Sequence, residues 1–280
     1  MKIFIYAFVI FFVSTSWSIE PYEFLYQRMK SGVIGAHQGG VLTGAQNTLE
    51  QFENARRAGM DIVEMDLHAS KDKIPYVFHD DTMDFLTNCH GNFSDHSSQD
   101  LRQCEFYTNP YSIPSFESIL SWSRGRIIVN AEFKDFDSIQ TSIELVEKYQ
   151  AYNWVYFQTQ EIKEKYIQAR RISKKVVLLF APSNKEDLEW ALQLKDPALL
   201  IIEIQPNLRT PEIMNQIHQS GKLITEDIWH LSWNRELFGS KCFDGLMLGI
   251  DIVISNRIHS CIQQKQYFMN LKNQHEVKKR

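Results

Sequence analysis

Asp61-Ile62-Val63-Glu64-Met65-Asp66-Leu67 is an apolar run broken at alternate positions by carboxylates. Side chains on an extended strand alternate between its two faces. Val63, Met65 and Leu67 therefore share one face, and Glu64 and Asp66 share the other. The apolar face asks for burial. The acidic face is costly in an apolar setting unless opposite charge compensates it. A divalent cation would do so directly; an exposed acidic strand is the plainer alternative.

Working outward, short β-branched or apolar runs alternate with amphipathic stretches. Strands are expected at Val33–His37, Asp61–Leu67, Ile74–His79, Arg126–Lys134, Trp154–Thr159, Lys175–Phe180, Leu199–Ile204, Lys222–Thr225 and Gly249–Ser255. Helices are expected at Thr48–Ala58, Ser138–Tyr149, Glu161–Ile172, Lys185–Lys195 and Pro211–Ser220. Strands alternating with helices imply a parallel sheet. A length of 280 residues fits one α/β domain of the TIM (β/α)8 type. That is one strand more than the barrel has places, so at least one lies outside it or is no strand. His68–Lys73 is too short to hold a helix. Asp80 to Tyr111 is long, polar and rich in turn residues, and reads as an insertion (about 80–112) after the third strand, lying over one mouth of the barrel. From Lys265 to Arg280 the chain is polar and basic at its end, which reads as a frayed tail.

Lys2 is followed by an uncharged run, Ile3–Val13, and then by small residues from Ser14 to Ser18. This pattern is that of a secretory leader, residues 1–18, ahead of a mature domain at 19–280. The run is shorter than the roughly 20 residues of a membrane span, and an uncleaved anchor is the alternative. Export to a periplasm or to the medium is the expectation. Four cysteines after such a leader permit disulfides. Cys89 and Cys104 bracket a polar loop and are the candidate pair, with four reduced thiols as the alternative. A net charge of -4 and a pI near 6.1 argue against a nucleic-acid partner. Nothing in the sequence sets the oligomeric state.

The stretch Arg126–Lys134 repeats the acidic alternation. Glu132 and Lys134 share a face at the carboxyl end of their strand, where barrel active sites gather. Glu64, Asp66 and Glu132, with no cluster of histidines or cysteines, suit one hard divalent ion, Ca²⁺ or Mg²⁺, rather than zinc. Lys134 offers positive charge to a phosphate; a plain ion pair is the alternative. His37 ends the first strand ahead of Gly39-Gly40, and His79 ends the third ahead of Asp80-Asp81. Imidazoles titrate near neutrality and can act as base and acid. A single such histidine is more often structural, but two at one mouth beside three carboxylates are a candidate catalytic pair.

Ala36-His-Gln-Gly-Gly40, Asn47-Thr48, Glu64-Met-Asp66, His79-Asp80 and Glu132-Phe-Lys134 resemble, in order and spacing, the glycerophosphodiester phosphodiesterase family. The resemblance runs from about Gly32 to Arg257, specific in the first half and loose in the second. It implies a barrel, one divalent cation, and hydrolysis of a small-molecule glycerophosphodiester to glycerol 3-phosphate and an alcohol. Carried over residue by residue, it gives the metal to Glu64, Asp66 and Glu132 and acid–base work to His37 and His79. It gives phosphate binding or loop orientation to Lys134, Gln38 and Asn47. Trp229 stands as the counterpart of a late tryptophan of the pattern and as a candidate for the substrate pocket. One departure matters. The family places arginine where this chain has Gln38, and a neutral amide replaces a bidentate cationic contact. Two other readings follow from the same residues: a lysophospholipase D-like or sphingomyelinase D-like enzyme acting on lipid at a membrane surface, and a binding protein without catalysis. Phe85, Phe93 and Phe106 in the insertion serve either an apolar substrate chain or the insertion's own core.

Overall fold

A computed structural model describes residues 20–41, 45–108, 111–228 and 241–277. The leader at 1–18 and Trp229 lie outside the described residues. The strands are β1 (Val33–Ala36), β2 (Ile62–Ala69), β3 (Pro75–Val77), β4 (Ile128–Phe133), β5 (Val155–Gln158), β6 (Val177–Phe180), β7 (Leu199–Glu203), β8 (Leu223–Asp227) and β9 (Ile252–Ser255). Eight of them close a parallel barrel in the order β1-β2-β4-β5-β6-β7-β8-β9, with β9 pairing back on β1. The ninth, β3, pairs antiparallel with the far end of β2 and is not one of the barrel's own strands. It is the surplus strand of the sequence reading. The link before it is a hairpin turn, Ser70 N–H to the Ile74 carbonyl, too tight for the helix a parallel crossover needs.

The helices are α1 (Pro21–Met29), α2 (Leu49–Ala58), α3 (Ser98–Leu101), α4 (Phe116–Ser123), α5 (Asp137–Lys148), α6 (Lys163–Ile172), α7 (Lys185–Gln193), α8 (Pro211–Gln219), α9 (Lys241–Leu248) and α10 (Ile258–Val277). Those after β4 to β7 fall within a residue or two of the expected bounds. Side-chain caps start several of the helices: Thr48, Asn184 and Thr210 side-chain oxygens accept from Gln51, Asp187 and Ile213 N–H at α2, α7 and α8. Outward-facing Val63, Met65, Leu67, Val129, Ala131 and Phe133 pack beneath the helices in one large cluster. Inward-facing Ile62, Ile128, Tyr156, Val177, Ile201, Leu223 and Ile252 fill the lower barrel. Leu25 and Met29 of α1, both fully buried, close that end as a plug.

One expectation is corrected. The tail from Lys265 to Val277 is not frayed: it belongs to α10, whose Lys265 ammonium sits 2.6 Å and 2.7 Å from the two Asp61 carboxylate oxygens. A second disulfide, Cys242–Cys261, joins α10 to α9. Tertiary anchors hold a helix whose own polar sequence advertises little amphipathic pattern. The insertion at 80–112 has structure of its own among its described residues. It carries the capped turn α3, a Cys89–Cys104 disulfide with Cα atoms 5.6 Å apart, and a small core of Phe78, Met83, Phe93, Leu101 and Phe106 beside β3.

The plug makes a measurable claim. Leu25→Ala removes a fully buried side chain from a site closed on all sides and should cost about 2–5 kcal/mol in urea unfolding; a loss under about 1 kcal/mol would mean that α1 does not seal the barrel.

Candidate active site and metal cradle

Register brings the acids together. In the parallel β2–β4 pair, Asp66 lies opposite Glu132 and Glu64 opposite Asn130, all on the inward face. Ala36 pairs with Val63, so His37 emerges just above Glu64. Glu64, Asp66 and Glu132 each offer a carboxylate oxygen within 4.8 Å of the others, and the three residues are at most 8% exposed.

Four amide donors hold these carboxylates. Gln38 N–H donates to Glu64 Oε2 at 2.8 Å, and Gln38 Nε2 to Asp66 Oδ2 at 2.9 Å. Asn47 Nδ2 donates to the same Asp66 oxygen at 2.8 Å, and Gln160 Nε2 to Glu132 Oε2 at 2.5 Å. Gln38 and Asn47 both adopt left-handed backbone, φ +50° and +59°. Such conformations cost on the order of 1–3 kcal/mol each outside glycine; here the bonds to Glu64 and Asp66 offset them. The Gln38 and Asn47 side chains are thus both engaged with Asp66. Lys134 Nζ lies 3.1 Å from Glu132 Oε1 and 3.6 Å from Asp66 Oδ1.

The electrostatics call for an ion. Burial first, then Asp66 and Glu132, push the Glu64 carboxyl well above the usual range. Burial and Glu132 push Asp66 up as well, against the opposing pull of Lys134. Burial works against the Lys134 ammonium, but Glu132 and Asp66 outweigh it and raise its pKa. Two like unit charges about 5 Å apart repel by about 3 kcal/mol at an effective dielectric near 20. Once all three are ionised, three carboxylates less one ammonium leave two negative charges, the complement of a divalent cation with an all-oxygen donor set.

Both histidines reach the mouth by different routes. His37 opens a short turn after β1, and its Nδ1 meets Asn256 Oδ1 at 2.9 Å, just past β9. Gln46 Nε2 donates to that same oxygen at 3.3 Å, so Nδ1 of His37 is the donor in its contact, and in the neutral ring the lone pair falls to Nε2. His79 does not end a barrel strand. It returns to the mouth along the β2–β3 hairpin, where Phe78 N–H donates to the Asp66 carbonyl at 3.0 Å, and its Nδ1 pairs with Asp80 Oδ1 at 2.7 Å. His37, Gln38, Asn47, His79 and Asn256 line one cleft of about 560 Å³. Its outer wall is apolar: Val41, Phe85, Leu86 and Tyr107, all of them exposed. Phe93 is buried in the insertion core, Phe106 belongs to that core and also lines the cleft, and Phe85 stands exposed on the outer wall, so the three insertion phenylalanines divide between the two roles weighed for them.

Sequence reasoning missed Asn256, Gln160, Asp80 and the Asp135–His68 pair as supporting groups. Gln160 and Asn256 each lie just beyond a strand's carboxyl end, which is the one signal that could have found them. Deeper in the barrel, Gln158 bridges Asn130 and Glu203 at 3.1 Å and 3.0 Å. Burial and Asp227 push the Glu203 carboxyl far up.

Residues 37–223 match the glycerophosphoryl diester phosphodiesterase family. The chain belongs to that family, on a barrel that solved members share. The Parabacteroides distasonis glycerophosphoryl diester phosphodiesterase superposes with a TM-score of 0.74 at 20% identity, covering 89% of this chain and 92% of that one. An Oleispira antarctica phosphodiesterase in complex with the product sn-glycerol-3-phosphate gives 0.71 at 18% identity, covering 89% and 100%. Among characterised sequences, a Bacillus altitudinis glycerophosphodiester phosphodiesterase is 31% identical over 110 residues, 36% of this chain and 45% of the relative. A lysophospholipase D of Homo sapiens is 32% identical over 98 residues, 34% of this chain and 30% of the relative. The chain thus matches less than half the length of these sequence relatives.

Proton and cation should compete for the cradle. Glu64 and Asp66 ionise above their unfolded range, so without the ion stability should fall as pH rises through that interval, because the unfolded chain ionises first. Calorimetry with Ca²⁺ or Mg²⁺ in buffers of different ionisation enthalpy should show proton release on binding and weaker affinity at lower pH; affinity indifferent to pH would rule out proton-bearing acids in the cradle.

Proposed function

We propose that this chain is an exported phosphodiesterase that hydrolyses glycerophosphodiesters to sn-glycerol 3-phosphate and an alcohol. The observation that carries the reading is the convergence of Glu64, Asp66 and Glu132 at the mouth of the barrel, beside a cleft lined by His37 and His79. Family membership and the product-bound Oleispira neighbour support the same substrate class. The leader-like N-terminus and two disulfides, Cys89–Cys104 and Cys242–Cys261, support an oxidising compartment. No helix among the described residues is long and apolar enough to cross a membrane.

The cradle is assigned to Ca²⁺ or Mg²⁺ on its oxygen donors, and that ion supplies Lewis acidity toward the phosphodiester. The protein's own groups do the rest. His37 has its Nδ1 proton committed to Asn256, so its Nε2 lone pair is the candidate base for the attacking hydroxyl. His79, bonded through Nδ1 to Asp80, is the candidate acid that protonates the leaving alcohol. Lys134 faces the metal-binding carboxylates and would stabilise charge on the phosphate as it transfers. Gln38 holds Asp66 and Glu64, and so orients ligands where the family arginine would contact phosphate. Glu64→Ala and His79→Ala should each lower turnover of glycerophosphocholine at least 10²-fold, to the order expected for lost acid–base or metal chemistry; parental rates in either variant would end this assignment.

The apolar wall of the cleft favours a second reading, in which the released alcohol or the glycerol carries an acyl chain. Phe85 is 82% exposed and Tyr107 59%, an arrangement that wastes two aromatic side chains unless something apolar lies against them. The human relative's name points the same way. Phe85→Ser combined with Tyr107→Ser should lower kcat/KM for lysophosphatidylcholine about tenfold and leave glycerophosphocholine unchanged. A parent that turns over the deacylated diester but no lysolipid would discard this second reading alone.

A further inference from the structure

His68 has no place in the chemistry described so far, yet it is 6% exposed and its side chain joins two parts of the site. It follows Glu64 and Asp66 on the inward face of β2, one pleat beyond the barrel rim. Its Nδ1 lies 3.4 Å from Asp135 Oδ2, and its Nε2 lies 3.2 Å from the main-chain carbonyl oxygen of His79. The exposed Asp81 carboxylate is 3.9 Å from the same Nε2. A carbonyl oxygen only accepts, so Nε2–H is the donor in that contact. The Phe93 ring backs the imidazole, with centroids 5.5 Å apart.

Each end of this bridge matters. Asp135 directly follows Lys134 and is itself fixed, accepting from Ala69 N–H at 2.8 Å and from Ser138 N–H at 2.7 Å, where α5 begins. His79 sits beyond β3, which lies outside the closed barrel and is held to it by pairing with β2, while Tyr76 bridges Ser115 and Val77 N–H donates to the Pro114 carbonyl on its other side. Its neighbour Phe78 is held to Asp66 through the backbone. One main-chain bond before His79 and one at its carbonyl therefore set where the imidazole stands.

We propose that His68 is a positioning residue: its Nε2–H holds the His79 carbonyl and fixes the His79 imidazole against the loop that carries Lys134. The proposal rests on the reading of His79 as the acid of a phosphodiesterase, and it goes beyond that reading by naming the group that places the acid.

Replacements that keep one nitrogen position at a time separate positioning from mere filling of space. The amide nitrogen of glutamine reaches about as far as Nε2, whereas that of asparagine reaches only as far as Nδ1. His68→Ala and His68→Asn should lower kcat on glycerophosphocholine about tenfold or more, as small misplacements of reacting groups do. KM and Ca²⁺ affinity should stay within about twofold, and His68→Gln should recover most of the rate. Amide hydrogen exchange across Phe78–Asp81 should quicken in the alanine and asparagine variants and not in the glutamine one. In a His79→Ala background, adding His68→Ala should change the residual rate little, because the two act through one group. Equal rates in the asparagine and glutamine variants, unchanged exchange, or a further tenfold loss in the double variant would each overturn the proposal while leaving an active parent enzyme. A parent inactive on every diester would instead remove the catalytic reading of His79, and this inference with it.

Discussion

Mutual repulsion among three buried carboxylates governs this molecule's upper half. Glu64, Asp66 and Glu132 occupy inward positions of adjacent parallel strands, and the register that makes Asp66 and Glu132 neighbours is the same hydrogen-bond ladder that closes the barrel. The fold cannot relieve the crowding without giving up backbone pairing. It answers instead with donors: a backbone N–H and three side-chain amides, plus the Lys134 ammonium. Amides orient carboxylates but add no net charge, so the fully ionised cradle carries two uncompensated negative charges, met by protons or by a cation. That shortfall, more than any single contact, defines it as a place for a divalent ion.

The lower half is the opposite case. There the inward positions carry Ile, Val, Leu and one buried tyrosine, and α1 caps them from below. The transition occurs along single strands: Ile62 is inside the apolar layer, Glu64 and Asp66 above it. A rigid apolar base beneath a polar rim keeps the acidic residues from relaxing downward, and their separation is set by strand geometry rather than by loop conformation.

Much of this was legible in the sequence because period-2 alternation survives wherever one face of a strand is apolar. Asp61–Leu67 and Arg126–Lys134 announce both the strands and the convergence of their acids. The parallel strands from β4 onward read as short apolar runs for the same reason. What escaped has physical causes. Whether Ile74–His79 joins the barrel depends on a hairpin turn that composition does not reveal, since Pro75–Val77 is as apolar as any barrel strand. Helix α1 spans only nine residues, and α10 is held by the Lys265–Asp61 bridge and a disulfide rather than by an apolar stripe. The partners of the site, Asn256 and Gln160, are polar residues after strands, where any sequence has polar residues. Gln38 was read as a weakened phosphate contact; its side-chain bond to Asp66 was not foreseen, because it requires the left-handed turn that no residue pattern discloses.

The antiparallel placement of β3 carries a consequence for how such a protein diversifies. The imidazole that returns along this hairpin is tethered to the barrel yet outside its closed sheet, and the segment behind it has its own small core and covalent staple. Lengthening, shortening or recasting that module leaves the cation cradle's ladder intact. Substrate scope and ion chemistry are therefore separable traits here, open to selection one at a time, and an engineer could exchange the first by grafting without rebuilding the second.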